Sequence, residues 1–524
     1  MALSSRHQGA IGFDTLPPEI QQEICNYLAG ERASLFAAIR VSRACYNCCI
    51  GMLWRNSTQK GLAKASTHAR RQYYANMIYD WNLNHGRAWK MFDRLEFPLL
   101  EGITFSGGGL SNVQLRRCLE MGLQTLRYIR CEFDATILEL IATCCTQLRE
   151  LEVTFPTTHK ITPSQFTKFV HSFPDLQCLR LHGIRRYIMN EVFKWQSPLV
   201  AQLEELALTG YWDSVDYYPT TVSECLFRND FLERCTGLRE LRVDGGEGFS
   251  VRTFARLSSF DSLEVFYIDG WIDDIVADQL EAQLFYEHNP YPFPSLREFS
   301  MQGVSLAVNA LLSSAPRTLL KLSLEVDDGT AGIRPTISRL PNLVSLSVTF
   351  CFFGEVFRED LDCISALSNL QELRIDKKAV NSPGFVSINC PWLTDQYFRS
   401  WIAKLRQLRI LRLALSGFPS ASITQACLQS LSDSCPLLAD CQLIWEHDLN
   451  AWTSLEAPLF PNLEVFHLGQ VKDHGHNRGK AAIDKVATRD VKVIQNLAPS
   501  LRRFYVESVR PHERALMAIF KAGV

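Results

Sequence analysis

One pattern constrains this chain more than any other. L-x-x-L-x-L, with other large apolar residues at some of its positions, recurs fifteen times across the body of the sequence. The copies start at Leu100, Leu123, Leu148, Leu176, Leu203, Leu238, Leu263, Leu296, Leu319, Leu343, Leu370, Leu408, Leu438, Leu463 and Leu501. Successive starts lie 23 to 38 residues apart. A proline stands two residues before the first leucine in seven copies, at Pro98, Pro174, Pro294, Pro341, Pro436, Pro461 and Pro499. Proline belongs where a helix must stop before a strand begins. A glycine follows two residues after the last apolar position in five, at Gly183, Gly210, Gly245, Gly270 and Gly303, where a turn leaves the strand.

Within each copy the closing L-x-L alternates inward, outward, inward, as a strand with one buried face requires. Intervening segments such as "ATILELIATCCTQ" and "TQACLQSLSDSC" carry apolar residues at helical spacing. A strand–helix unit cannot bury its apolar face alone, but stacked units share one core. The period and the consensus are those of leucine-rich repeats, with Cys131 and Cys351 in the slot that often carries Asn or Cys. The expected fold class is an α/β repeat solenoid, a leucine-rich-repeat horseshoe of about fifteen repeats, preceded by a small three-helix domain. An ordinary α/β domain also alternates strands and helices, but it does not require phased copies.

The 524 residues exceed what one compact core usually holds, which suits an elongated array. The formal net charge of −2 provides no global field for nucleic acid or an anionic membrane. The first residues lack the apolar core of a signal peptide, and no apolar run is long enough to span a bilayer. With seventeen scattered cysteines, these features predict a cytoplasmic or nuclear protein whose thiols act as small buried hydrophobes.

The segment "FDTLPPEIQQEICNYL" differs from the repeats. Leu16, Ile20, Ile24 and Leu28 recur at i+4 and form a stripe on one side of a helix. Pro17 and Pro18 fit its first turn, and Glu19 suits the positive end of its dipole. "ASLFAAIRV" forms a second helix, and Ser42 can cap a third, "RACYNCCIGMLWRN", which contains Leu53 and Trp54. A module this small is near the lower limit for stability on its own core, so a covering partner is expected.

Leu16-Pro17, Glu19-Ile20, Ile24, Leu28, Val41-Ser42-Arg43 and Leu53-Trp54-Arg55 together resemble an F-box. An F-box followed by leucine-rich repeats is similar to the substrate receptors of Skp–cullin–F-box (SCF) ubiquitin ligases, particularly fungal ones. The resemblance implies a non-catalytic subunit in which the F-box binds a Skp-type adaptor, and through it cullin and RING subunits. The repeats would hold a protein substrate. It assigns Leu16, Pro17, Ile20, Ile24, Leu28, Val41 and Leu53 to the adaptor interface or its direct support, and Trp54 to the module's core. The competing reading of each is plain packing within the module. The expected layout is a flexible N-terminus at 1–11, the F-box at 12–57, a helical linker at 58–95, the repeats at 96–510 and a C-terminal cap at 511–524.

The outward residues of L-x-L, among them Arg180, Arg242, Tyr267, Arg374, Arg412 and His467, are candidate substrate contacts. Acidic residues stand two positions earlier in several copies, for example Glu150, Glu205 and Glu372. Neighbouring strands can pair these charges along the sheet. Arginines without such a partner, such as Arg180, Arg374 or Arg412, would meet an acidic or phosphorylated segment. Three of four long insertions add aromatic candidates: Tyr211, Trp212, Tyr217, Tyr218, Trp271, Trp445 and Trp452. Such residues dominate interfaces when they are not covering their own scaffold.

Motifs for catalysis, cofactors or metals do not reach specification. "GHNRGKA" has one spacer too few for a P-loop and no Ser or Thr after Lys480. "CYNCC" lacks a second ligand pair and lies in the third helix of the N-terminal module. The expected chain has no catalytic residues, cofactor or metal. Two other functions stay open: an F-box scaffold that works without ubiquitination, and a sensor holding a small anion on the strand face.

Overall fold

A computed structural model of the chain describes residues 13–84, 91–92, 94–106, 112–129, 134–155, 161–185, 188, 191–192, 194, 199–210, 230–232, 234–244, 251–272, 293–303, 308, 317–326, 337–351, 356–378, 388–416, 424–472, 480–506 and 510–523. The chain divides into two compact units, Met1–Tyr217 and Tyr218–Val524.

The first unit opens with a short 3-10 turn, Phe13–Thr15, and three helices: α1 (Pro18–Asn26), α2 (Arg32–Ala38) and α3 (Arg43–Arg55). A parallel ladder follows, made of β1 (Asn56–Thr58), β2 (Asp80–Leu83), β3 (Gly102–Ser106), β4 (Thr125–Ile129), β5 (Glu150–Thr154), β6 (Cys178–Ile184) and β7 (Glu205–Gly210). Each strand pairs with the next.

The second unit carries a parallel ladder of β8 (Glu240–Asp244), β9 (Val265–Ile272), β10 (Glu298–Gly303), β11 (Lys321–Val326), β12 (Ser345–Phe350) and β13 (Glu372–Lys377). It continues through β15 (Ile410–Leu413), β17 (Asp440–His447), β18 (Val465–Val471) and β19 (Arg503–Val506). A small parallel pair, β14 (Ile388–Asn389) and β16 (Leu415–Ser416), lies beside it.

All fifteen copies of the sequence pattern fall on strands, and strands from successive copies pair in register throughout each unit, as in Leu179↔Leu206 and Leu346↔Leu373. This parallel register of phased copies makes the fold a leucine-rich-repeat fold. The leucines line the core; Leu179, Leu206, Leu346 and Leu373 have no exposed surface. The prolines act as expected. Leu343 N–H donates to Leu340 O at 3.1 Å, and Leu463 N–H to Phe460 O at 3.4 Å. Pro341 and Pro461 thus hold the second position of a four-residue turn, which a fixed φ favours. Gly183 has φ +68° and sits at the register shift between β6 and β7, so this glycine supplies a left-handed residue at a bulge.

Two differences from the sequence expectation concern the start of the ladder. α3 runs directly into β1, and the 58–95 segment contains β2, so pairing begins before residue 96. β2 repeats the pattern with Ile78, Trp81 and Leu83, all buried, where a tryptophan fills a leucine position. β1 places buried Ser57 opposite Trp81, a polar version that an apolar pattern cannot reveal. Trp54 also departs from its expected role. It stacks on Tyr74 of the helix His68–Ala75, centroids 4.2 Å apart, and so ties the end of α3 to the next segment.

Candidate functional site

The N-terminal module is held by few residues. Its core is Cys25, Leu35 and Cys49, with Phe13, Leu28, Ala38, Ile39, Cys48, Met52 and Leu53 packed around it. Burial pushes the Cys25 thiol up to about 12, with nearby Cys49 adding to the shift, so it is a protonated member of the core. Ser42 caps α3 by accepting from Cys45 N–H at 3.2 Å, and its hydroxyl donates to Asp14 at 2.7 Å. That pair links the first turn of the module to its third helix. Pro17 is the N-cap residue of α1 and Pro18 its first helical residue.

α1 buries Gln21 and Cys25. Gln21 donates to Leu16 O at 2.8 Å. The stripe of Ile20 and Ile24 is therefore left outside, 48% and 41% exposed. Val41 is 75% exposed, and Pro17 is exposed as well. Leu16 is half-buried. Leu28 and Leu53 pack against the module's own core, which places them beneath the exposed residues rather than among them, and Leu28 lies beyond the end of α1. Sequence reasoning missed Tyr27, 83% exposed, and Phe36, 55% exposed, because neither belongs to the i+4 stripe. Of the twelve large apolar side chains exposed among the described residues, five fall between Ile20 and Val41. Large apolar exposure is thus concentrated in this module rather than scattered evenly over the described residues.

The outward face of each ladder is a further candidate region. In the first unit Arg127 lies 3.6 Å from Glu150 and 3.5 Å from Glu152. Arg180 makes a bidentate pair with Glu205 and reaches Glu150 and Glu152 at 4.0 Å. In the second unit the register aligns Arg242, Tyr267, Ser300, Ser323, Ser347, Arg374, Arg412, Gln442, His467 and Tyr505 in one row. Arg242 pairs with Glu240, Arg374 with Glu372 at 2.6 Å, and Arg412 with Asp376. Arg412 also donates to Gln442 at 3.1 Å. The expectation that Arg180, Arg374 and Arg412 lack acidic partners is therefore corrected. The neighbouring strand brings a carboxylate to Arg180 and Arg412, and Arg374 finds one two residues earlier on its own strand.

Tyr267 and Tyr505 are 40% and 41% exposed. Arg242 lies over the Tyr267 ring at 5.7 Å, and His467 packs on Tyr505 at 5.8 Å between centroids. Burial, and then Arg412, hold the His467 pKa below its ordinary value.

The aromatic candidates of the insertions divide. Trp271 lies in β9, opposite Gln302 across a register shift, rather than in a loop. Trp445 and Trp452 are 7% and 3% exposed and enclose His447, so they cover their own scaffold. Tyr211, Trp212, Tyr217 and Tyr218 lie outside the described residues, as do Cys131 and most of "GHNRGKA". All fifteen described cysteines are free thiols, and no described helix is long and apolar enough to cross a membrane.

No protein-family model and no curated protein matches the chain. Among solved structures, it is similar to the crystal structure of a TLR13–ssRNA13 complex, at 15% identity and a TM-score of 0.33. That match covers 76% of this chain, which spans only 55% of the TLR13 chain. It is also similar to the plant peptide hormone receptor RGFR1 in complex with RGF2, at 13% identity and a TM-score of 0.28, covering 87% and 72% of the two chains. The leucine-rich-repeat assignment rests on the strand register and not on these likenesses.

Proposed function

We propose that this chain is the substrate-recognition subunit of an SCF-type ubiquitin ligase. Its N-terminal module is the F-box that binds a Skp-type adaptor, and its repeats hold a protein substrate. One observation carries the reading: the module buries Gln21 and Cys25 while leaving Ile20, Ile24, Tyr27, Phe36 and Val41 exposed. Apolar area on so small a domain is stabilised when a partner removes it from water. The chain itself performs no chemistry in this account. It raises the effective concentration of a substrate lysine near a charged ubiquitin-conjugating enzyme, making transfer nearly intramolecular. The small-anion alternative loses support because Arg180, Arg242, Arg374 and Arg412 are all neutralised by carboxylates.

The test is co-purification of the full chain with a Skp adaptor and cullin. Ile24→Asp with Val41→Asp abolishes capture without changing the thermal unfolding of the repeats. Failure of the wild-type chain to retain the adaptor overturns the reading. Ubiquitinated captured proteins that accumulate under proteasome inhibition separate a ligase from a scaffold.

A further inference from the structure

A second site lies in the other unit, on the edge where the strands begin. A groove of about 530 Å³ runs there past β10, β11, β12, β13 and β15. This is within the size range of ligand clefts. The row of residues directly before each strand explains its character. Apart from Ala439 the row is charged at both ends, with Arg239, Glu264 and Arg297 on one side and Arg409, Glu464 and Arg502 on the other. For three consecutive repeats the charge gives way to Leu320, Val344 and Gln371, all half-buried groove residues.

The walls are carboxamides. Asn342 donates its Nδ2 to Arg317 O at 2.7 Å, and Asn369 donates to Pro341 O at 3.1 Å. Each side chain is thus fixed by the preceding repeat, with its Oδ1 left as an acceptor. Gln371 and Gln407 have no side-chain hydrogen bond among the described residues, which leaves both donors and acceptors available. At one end stands Arg297, with a 62% exposed side chain. Among the described residues its ion-pair partner is Glu264, 4.0 Å away and engaged by Arg239 at 2.6 Å.

We propose that this groove binds an extended peptide segment of a partner protein, lying across the strand starts with an Asp or Glu side chain on Arg297. An apolar floor takes small aliphatic side chains. Free amides match the alternating N–H and C=O groups of a peptide backbone. Among the described residues no aromatic side chain lines the groove to stack against a sugar or base. From Arg297 to Gln407 the groove spans four strand spacings, roughly 19 Å, enough for about five extended residues.

The experiment uses the full chain and an immobilised array of capped peptides of that length, with every position varied. The wild-type chain selects an acidic residue at one end and aliphatic residues in the middle. Leu320→Glu with Val344→Glu reduces captured signal about tenfold. Arg297→Ala, at an exposed position that leaves folding intact, removes the acidic preference, about threefold to fivefold for a surface ion pair. Gln371→Ala weakens all selected peptides alike. No positional selection by the wild-type chain, or an acidic preference that survives Arg297→Ala, overturns the proposal. Adaptor capture by the same variants stays intact, so failure here is distinct from failure of the F-box reading.

Discussion

Truncating Ile20, Ile24 and Val41 together to alanine tests the division of the N-terminal module into an inner and an outer surface. Full burial of such a side chain is worth about 1.5–3 kcal/mol. Ile20 and Ile24 already hide about half of theirs, so a partner gains about 1 kcal/mol from each. Val41 hides a quarter, so it also contributes about 1 kcal/mol. If the module is the proposed F-box, the triple variant loses about 3 kcal/mol of adaptor affinity, a rise of roughly a hundredfold in Kd. Its own stability changes little, because exposed substitutions usually stay within about 0.5 kcal/mol. Leu35→Ala is the contrast. Leu35 is 2% exposed in the three-residue core, and its truncation costs about 2–5 kcal/mol and melts the module. Isothermal titration against a purified Skp adaptor, with circular dichroism on each variant, reads both quantities. Unchanged affinity in the triple variant refutes the outer surface as the interface. Loss of helical signal in it refutes the claim that these residues are not core.

Three other outcomes follow from the repeats. Gly469→Ala places a Cβ 2.7 Å from Trp445 N and 2.8 Å from Ile444 C, both backbone atoms that cannot step aside. It should lower stability by about 1–3 kcal/mol in chemical denaturation, and an unchanged midpoint would contradict the close approach. Glu205→Ala removes the bidentate partner of a half-buried Arg180, which retains only weak contacts to Glu150 and Glu152 at 4.0 Å. A loss of about 1–2 kcal/mol is expected, and it should shrink in Arg180→Ala backgrounds if the pair acts as a unit. His447 is held neutral mainly by burial, which lowers its pKa to about 4. The unfolded chain binds that proton first, so stability is full above about pH 6.5 and falls as pH drops towards 4, by roughly 3 kcal/mol. His447→Phe should flatten that part of the pH–stability curve.

The repeats were legible because their signal is redundant. Each copy shows its apolar spacing, and many add a proline at the second position of a turn that the structure confirms. Legibility failed where one residue substituted chemically for another. β2 uses Trp81 in a leucine position, and β1 uses Ser57, so the ladder starts earlier than the leucines indicate. It failed again where the chain departs from one residue per pairing. The register shifts in β9 and β17 extend those strands through segments that read as insertions, carrying Trp271 and Trp445 into strands. In the N-terminal module the Ile20–Ile24 stripe was readable, but its orientation was not. A buried glutamine and a pair of thiols form the inner face, and no apolar periodicity announces them. The edge groove was invisible in the sequence. Leu320, Val344 and Gln371 belong to three different repeats, and only the register makes them neighbours.

The charge pattern on the strand faces bears on the class of partner. A phosphate arriving at Arg374 or Arg412 meets a guanidinium already bonded to Glu372 or Asp376. To take that arginine the anion must displace a carboxylate, and the displaced carboxylate then faces the anion as a like charge. Such exchange leaves little net gain for a small charged ligand. A protein surface meets different terms. It can leave each ion pair intact, pack on Tyr267 and Tyr505, and hydrogen-bond the hydroxyls of Ser300, Ser323 and Ser347 between them. The paired arginines then act as fixed surface whose geometry requires no ordering on binding. If the proposed receptor function holds, selectivity on this face comes from shape spread over several repeats and not from one charged contact. Single substitutions such as Arg374→Ala should then weaken substrate capture by only a fewfold, whereas Ser323→Arg with Ser347→Arg should abolish it by filling the neutral middle of the row.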